Sequence, residues 1–144
     1  MAAATDTELA TRLRLAVSRL HRRIRLATND VPPLQLSTLV SIEQYGPLRL
    51  GELAQREAVT APTMTRVLAA LDERELIVRF PDPDDARSVR VALSDAGRAV
   101  LEHVRSRRTA LLDARLARLT AQQRADLFAA LPALEALVVE EFER

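Results

Sequence analysis

Residues 76–97 read Leu-Ile-Val-Arg-Phe-Pro-Asp-Pro-Asp-Asp-Ala-Arg-Ser-Val-Arg-Val-Ala-Leu-Ser-Asp-Ala-Gly and restrict this chain more than any other stretch. An extended run, Leu76 to Phe80, meets a cluster of Pro and Asp. A second extended run, Val89 to Leu93, follows, and Ser94 then stands where a helix N-cap belongs. The pattern predicts a β-hairpin with a charged tip that feeds directly into a helix.

The residues before the hairpin predict helices. Leu9, Leu13, Val17, Leu20 and Ile24 recur at helical spacing, so an amphipathic helix is expected over 8–27. Asn29-Asp30-Val31-Pro32-Pro33 breaks it. A second helix is expected over 34–45, ended by Gly46-Pro47, and a short third over 50–57 with Leu53 and Ala54 inward. Ala58-Val59 is the turn. Thr60 caps a fourth helix, and Pro62 sits in its first turn, where a missing N–H costs little. Met64, Val67, Leu68 and Leu71 form its buried face. A long helix is expected over 94–119. Thr120 and Gln123 resemble a capping box for a last helix, 121–142, which Pro132 should kink or split. Its apolar stripe is Leu127, Leu131, Leu134, Val138 and Phe142.

Two short helices joined by a tight turn, followed by a hairpin, make a winged helix-turn-helix. The expected fold class is therefore mainly α with a small β-hairpin wing. The long helices carry more apolar surface than the central lobe can cover. A monomer would leave Leu9, Leu13, Val138 and Phe142 poorly buried, which predicts a helical dimerisation region built from both chain ends. The domain expectation is an N-terminal dimerisation helix at 1–33, a DNA-binding lobe at 34–93 and C-terminal dimerisation helices at 94–144.

Composition narrows function by exclusion. The chain has 144 residues and no cysteine, so disulfides, thiolate metal sites and thiol redox switches are out of reach. No apolar run approaches the ~20 residues of a membrane span, and Met-Ala-Ala-Ala-Thr-Asp carries no signal-peptide pattern. A cytoplasmic location with no membrane partner is expected. All 21 basic residues are arginine, yet the net charge is only +1, so the molecule is not a general polyanion binder. Four aromatic residues weigh against single-stranded nucleic acid, which is held by stacking. The two histidines, His21 and His103, cannot form a zinc set, the glycines make no phosphate loop, and no serine sits in an elbow beside a histidine. Neither an enzyme nor a bound cofactor is expected.

A helix over 60–72 after a short turn is what a major groove accepts. With its buried face fixed, it presents Thr60, Ala61, Pro62, Thr63, Thr65 and Arg66. Threonine hydroxyls and first-turn N–H groups suit phosphates, Ala61 and Pro62 suit a thymine methyl, and Arg66 suits a guanine edge or a phosphate. Arg87 stands at the hairpin tip, where one guanidinium fits a narrow, negative minor groove. Asp85, two residues earlier, is placed to hold Arg87 extended by a charge-assisted hydrogen bond. The plain alternative is a capped surface helix and an exposed turn whose Asp82, Asp84 and Asp85 offset Arg79, Arg87 and Arg90.

Here the residues carry a resemblance. Leu50-Gly51-Glu52-Leu53-Ala54, Val59 to Val67, Asp82-Pro83-Asp84-Asp85-Ala86-Arg87 and Leu93-Ser94-Asp95-Ala96-Gly97 resemble the MarR family of bacterial transcription regulators. The resemblance implies a homodimer of winged-helix subunits on a near-palindromic DNA operator, with Arg87 as minor-groove residue, Asp85 as its support and Thr60 to Arg66 as the reading edge. It also implies a small, anionic or aromatic effector in a crevice between the dimer helices and the winged-helix lobe, which releases a repressor from DNA. Two departures stand out. Ala86 replaces a common arginine, so wing contacts are fewer. Glu75 replaces a common glycine, so that turn is expected to be tighter or more helical.

Arg12, Arg14, Arg19, Arg22, Arg23 and Arg25 are expected mostly on the solvated face of the first helix; the alternative has one or two of them lining the crevice or touching operator phosphates. His21, beside the apolar stripe, is the ligand-binding candidate. Arg105, Arg107 and Arg108 predict an exposed neck. Two other readings stay open at this point. One is a helical-dimer protein-interaction module with a degenerate winged helix, which the near-neutral charge favours. The other is a ligand-sequestering protein without a DNA role.

Overall fold

The computed structural model describes residues 5–28 and 30–139; Asn29 of the expected helix break and Phe142 of the expected last stripe lie outside them. The elements run α1 (Asp6–Ala27), α2 (Pro33–Tyr45), β1 (Leu48–Arg49), α3 (Leu50–Arg56), α4 (Ala61–Glu73), β2 (Ile77–Pro81), β3 (Val89–Leu93), α5 (Asp95–Leu116) and α6 (Ala121–Ala136). The chain divides into two compact units, Met1–Arg108 and Thr109–Arg144. No described helix is long and apolar enough to cross a membrane.

The first unit holds the core. Leu39, Leu53, Met64, Leu68, Leu71 and Leu101 are fully buried and come from α2, α3, α4 and α5. Burying each such side chain favours folding by about 1.5–3 kcal/mol. The sheet is antiparallel in the order β1-β3-β2. Its inner face contributes Leu48, Ile77, Val91 and Leu93 to the same core. The third strand, β1, was not expected. It has two residues, and pairs Leu48 with Val91 and Arg49 with Arg90.

Helix starts follow their caps. Thr60 Oγ1 accepts the Thr63 N–H at 3.3 Å, and Ser94 Oγ accepts the Gly97 N–H at 3.0 Å. Each such cap is worth about 1 kcal/mol. The chain enters β2 through Glu75, whose φ of 58° lies in the left-handed region. The turn is therefore neither tighter nor more helical, as its missing glycine had suggested. Glu75 adopts the backbone that a glycine would take, against a side-chain clash of roughly 1–2 kcal/mol.

What holds Glu75 there is the start of α5. Ser94 Oγ donates to the Glu75 carbonyl at 2.6 Å, and the Ser94 N–H donates to the Leu76 carbonyl at 3.1 Å. Gly97 is buried so closely against Leu76 that a Cβ there would collide with the Leu76 carbonyl oxygen. The Leu-Ser-x-x-Gly run thus has a mechanical reason: serine caps α5 and grips the α4–β2 turn, while glycine lets the backbones meet.

Within the second unit, Thr120 and Gln123 form the expected reciprocal capping box of α6. Pro132 lies inside α6 without splitting it. Proline leaves the carbonyl four residues back unbonded; that residue is the exposed Phe128. No residue of α6 is buried.

Gly97→Ala should lower stability by about 1–3 kcal/mol through overpacking, whereas Glu75→Gly should raise it by roughly 1 kcal/mol by relieving the left-handed strain. Urea denaturation of both variants beside the parent checks the opposite signs.

Candidate nucleic-acid interface

Helix α4 is amphipathic as the spacing predicts. Met64, Val67, Leu68 and Leu71 are buried, which turns Ala61, Pro62, Thr65 and Arg66 outward with Thr60 beside them; Thr63 is half-buried. Its first turn has few free donors. Pro62 has no N–H, and the Thr63 N–H goes to Thr60. The Thr60 hydroxyl donates to Thr63 Oγ1 at 3.0 Å, and the Thr65 hydroxyl donates back to the Ala61 carbonyl at 2.9 Å. The helix end offers the Ala61 N–H and hydroxyl lone pairs rather than a nest of amides. That makes the exposed side chains its main chemistry.

The hairpin tip is shaped by two successive Asx turns. Asp82 Oδ1 accepts the Asp84 N–H at 2.9 Å, and Asp85 Oδ1 accepts the Arg87 N–H at 3.0 Å. The Asp82 N–H donates to the Ser88 carbonyl at 3.0 Å, and the Ser88 N–H donates to the Asp85 carbonyl at 2.9 Å. The Asp85 carboxylate therefore fixes the backbone that carries Arg87. It does not bond the guanidinium, contrary to expectation, because the Asx turn already directs an oxygen at the main-chain N–H. Arg87 is exposed and has no ion-pair partner among the described residues.

The other wing charges are paired, though not as a simple offset at the tip. Asp82 has a fully buried side chain that binds Arg49 through both Nε and Nη2. Arg90 Nε lies 3.3 Å from the same carboxylate oxygen, and Arg90 Nη2 lies 3.4 Å from Asp84. The Arg49 guanidinium, then the Asp84 N–H, hold the Asp82 carboxyl down to about 2. In the middle of β2, Arg79 Nε and Nη2 lie 2.8 and 2.7 Å from Asp72 on α4. Sequence reasoning missed both ties. The Asp-Pro-Asp run signals an Asx turn, but nothing local signals a partner thirty residues upstream.

A pocket of about 400 Å³ lies between α1, α2 and α5. His21 and Arg25 line it from α1, Ser37 and Ser41 from α2, and Arg108 from α5, over an apolar floor of Val31, Leu36 and Val40. Arg108 Nε donates to Thr28 Oγ1 at 3.3 Å. Both serine hydroxyls donate to the Glu57 carboxylate, Ser41 at 2.6 Å. His21 and Arg25 thus line the same pocket from α1. The arginines of the expected neck are more than solvated charge. Arg105 binds both oxygens of Glu43, holding that carboxyl below its usual range, and Arg107 binds Asp30. His103 is exposed.

Asp82 sets an acid limit. Its folded pKa lies below the ordinary 3.8, so its contribution to stability is present above that value and is lost as pH falls toward about 2. Asp82→Asn should therefore show a flatter fall of thermal midpoint than the parent between pH 4 and pH 2, followed by circular dichroism.

Comparisons with known proteins agree with this geometry. The MarR family model matches residues 31–89. An HTH-type transcriptional regulator of Mycobacterium tuberculosis is 38% identical over 94% of this chain and 96% of its own length. The HTH-type transcriptional repressor MdtR of Bacillus subtilis is 27% identical over 81% of this chain and 79% of its own. A crystal structure of a transcriptional regulator from Pseudomonas aeruginosa superposes with a TM-score of 0.80, at 34% identity, covering 97% of this chain and all of that one.

Proposed function

The chain belongs to the MarR family and is a DNA-binding helix-turn-helix transcriptional regulator, and from that premise we propose that it acts in the cytoplasm, without catalysis, as a homodimeric repressor on a near-palindromic operator. The observation that carries the reading is the pairing of an exposed α4 edge with an unpaired Arg87 on a wing whose other arginines are held by carboxylates. α4 enters a major groove with Thr60, Ala61, Pro62, Thr63, Thr65 and Arg66 forward. Arg87 enters the flanking minor groove, on a backbone set by Asp85. Ala86 adds no second cation there.

Exposed apolar side chains support the dimer. Leu9 and Val17 of α1 and Leu127, Phe128 and Leu131 of α6 all face solvent in one chain, and so do Leu137 and Val138 beyond α6. Water contact on that scale is relieved by a second copy. The residues assigned to dimerisation are 1–33 and 94–144, flanking a DNA lobe at 34–93. Two-fold symmetry then sets the two reading helices about 34–36 Å apart, one turn of duplex. Repression has support from the relative named a repressor.

The pocket under α1 suits an effector with a carboxylate on an apolar or aromatic body. His21, Arg25 and Arg108 supply cationic or donor groups above its apolar floor. Binding there releases DNA only if the ligand prefers the dimer shape that fits the operator poorly.

Selection of bound duplexes from a random pool tests the reading. A palindromic consensus of one-turn half-site spacing is expected, and recovery of no consensus would leave the interaction module. On the selected duplex, Arg87→Ala should weaken binding by roughly 1–3 kcal/mol and lower the salt slope by about 1, with the sedimentation mass still that of two chains. Thr63→Ala and Arg66→Ala should change the consensus itself.

A further inference from the structure

Arg49 of β1 and Arg90 of β3 are directly opposite each other in the sheet. Like charges in that register repel and oppose strand pairing. β1 has only two residues with which to resist. Between these guanidiniums stands Asp82, its side chain fully shielded from water and within ion-pair reach of both. We propose that Asp82 is a positioning residue for DNA binding: by bridging Arg49 and Arg90 it locks the wing tip, and with it Arg87, to the first helix of the helix-turn-helix.

The mechanical path is short. Arg49 is the residue immediately before α3 and serves as its N-cap position. A bond from Asp82 to Arg49 therefore fixes the wing against α3. The Asp82 main chain also closes the tip through Ser88, the neighbour of Arg87. At the middle of β2, Arg79 and Asp72 tie the hairpin to α4. These two ties hold the wing at mid-strand and at its tip. Without the upper tie, two facing cations push β1 from β3, and Arg87 swings on the mid-strand tie alone. A guanidinium reaching a minor groove a few ångströms wide gains little from such a swinging support.

This inference rests on Arg87 being the wing's DNA contact, and the test separates the two ideas. Four proteins are compared on the selected duplex by fluorescence anisotropy over a salt series: the parent, Asp82→Asn, Arg87→Ala and the double variant. Removing a carboxylate near DNA should by simple charge tighten binding. The positioning role gives the opposite sign. Asp82→Asn should weaken binding on the order of tenfold and lower the salt slope by about 1, as loss of one arginine contact does. The double variant should bind no more weakly than Arg87→Ala.

Tighter or unchanged binding by Asp82→Asn overturns the proposal. So do losses that multiply in the double variant, because Asp82 would then act apart from Arg87. Parental affinity in Arg87→Ala removes the wing contact itself and the positioning role with it. Should Asp82→Asn fail to fold, Arg49→Gln keeps the Asp82–Arg90 pair. It should weaken binding in the parent and leave Arg87→Ala unchanged; a loss in both backgrounds marks Arg49 as a direct phosphate contact and overturns the proposal.

Discussion

The close approach of Gly97 to the Leu76 carbonyl is the constraint on which the DNA-binding lobe depends. At that contact three elements meet: the end of α4, the start of β2 and the first turn of α5. The hairpin leaves and returns through the same place, since Ser94 bonds both Glu75 and Leu76. Its stem is clamped to the end of α4 independently of the tip. The left-handed Glu75 is the cost of that clamp, and capping of α5 by the same Ser94 hydroxyl offsets part of it.

Charge does a different job from the one a basic composition suggests. With a net charge of +1, the molecule has little general attraction for a polyanion. Several arginines are held by carboxylates: Arg49 and Arg90 by Asp82, Arg79 by Asp72, Arg98 by Asp95, Arg105 by Glu43. Among the described residues of the α4-to-wing segment, Arg66, Arg74 and Arg87 have no ion-pair partner. Two of these three are the residues assigned to base and groove contacts. With a net charge near zero, weak contacts to arbitrary sequence stay small and placed contacts count for more.

Sequence reasoning reached the elements whose causes are local. Thr60 and the Thr120–Gln123 box mark helix starts within a turn, and the apolar spacing of Met64, Val67, Leu68 and Leu71 fixes which face of α4 turns outward. The hairpin strands follow from alternation and the Pro–Asp turn. What was not legible arises between distant positions. β1 is too short to carry a pattern, and the Asp82–Arg49 bond joins residues that no local spacing relates. The turn at Glu75 kept a glycine's conformation because contacts from α5 outweigh the local preference. Pro132 sits in an unbroken helix none of whose residues is buried. The outward edge of α4 was legible from helix phase; the use of Asp85 for main chain rather than side chain was not.

The effector proposed for the pocket beneath α1 would act on the lobe through Arg108. Arg108 lines it and also donates to Thr28 at the end of α1, so an anion that draws Arg108 inward competes with a contact joining α5 to the α1–α2 junction. Regulation of that kind matters only if the molecule binds DNA selectively in the first place. The most direct measurement is the affinity of the parent protein, by fluorescence anisotropy across a salt series, for the DNA just upstream of its own gene and for a scrambled duplex of equal length. The account predicts tight binding to the first, falling steeply with salt, and far weaker binding to the second. Equally weak binding to both, joined by failure of random-pool selection to yield a preferred sequence, would contradict it.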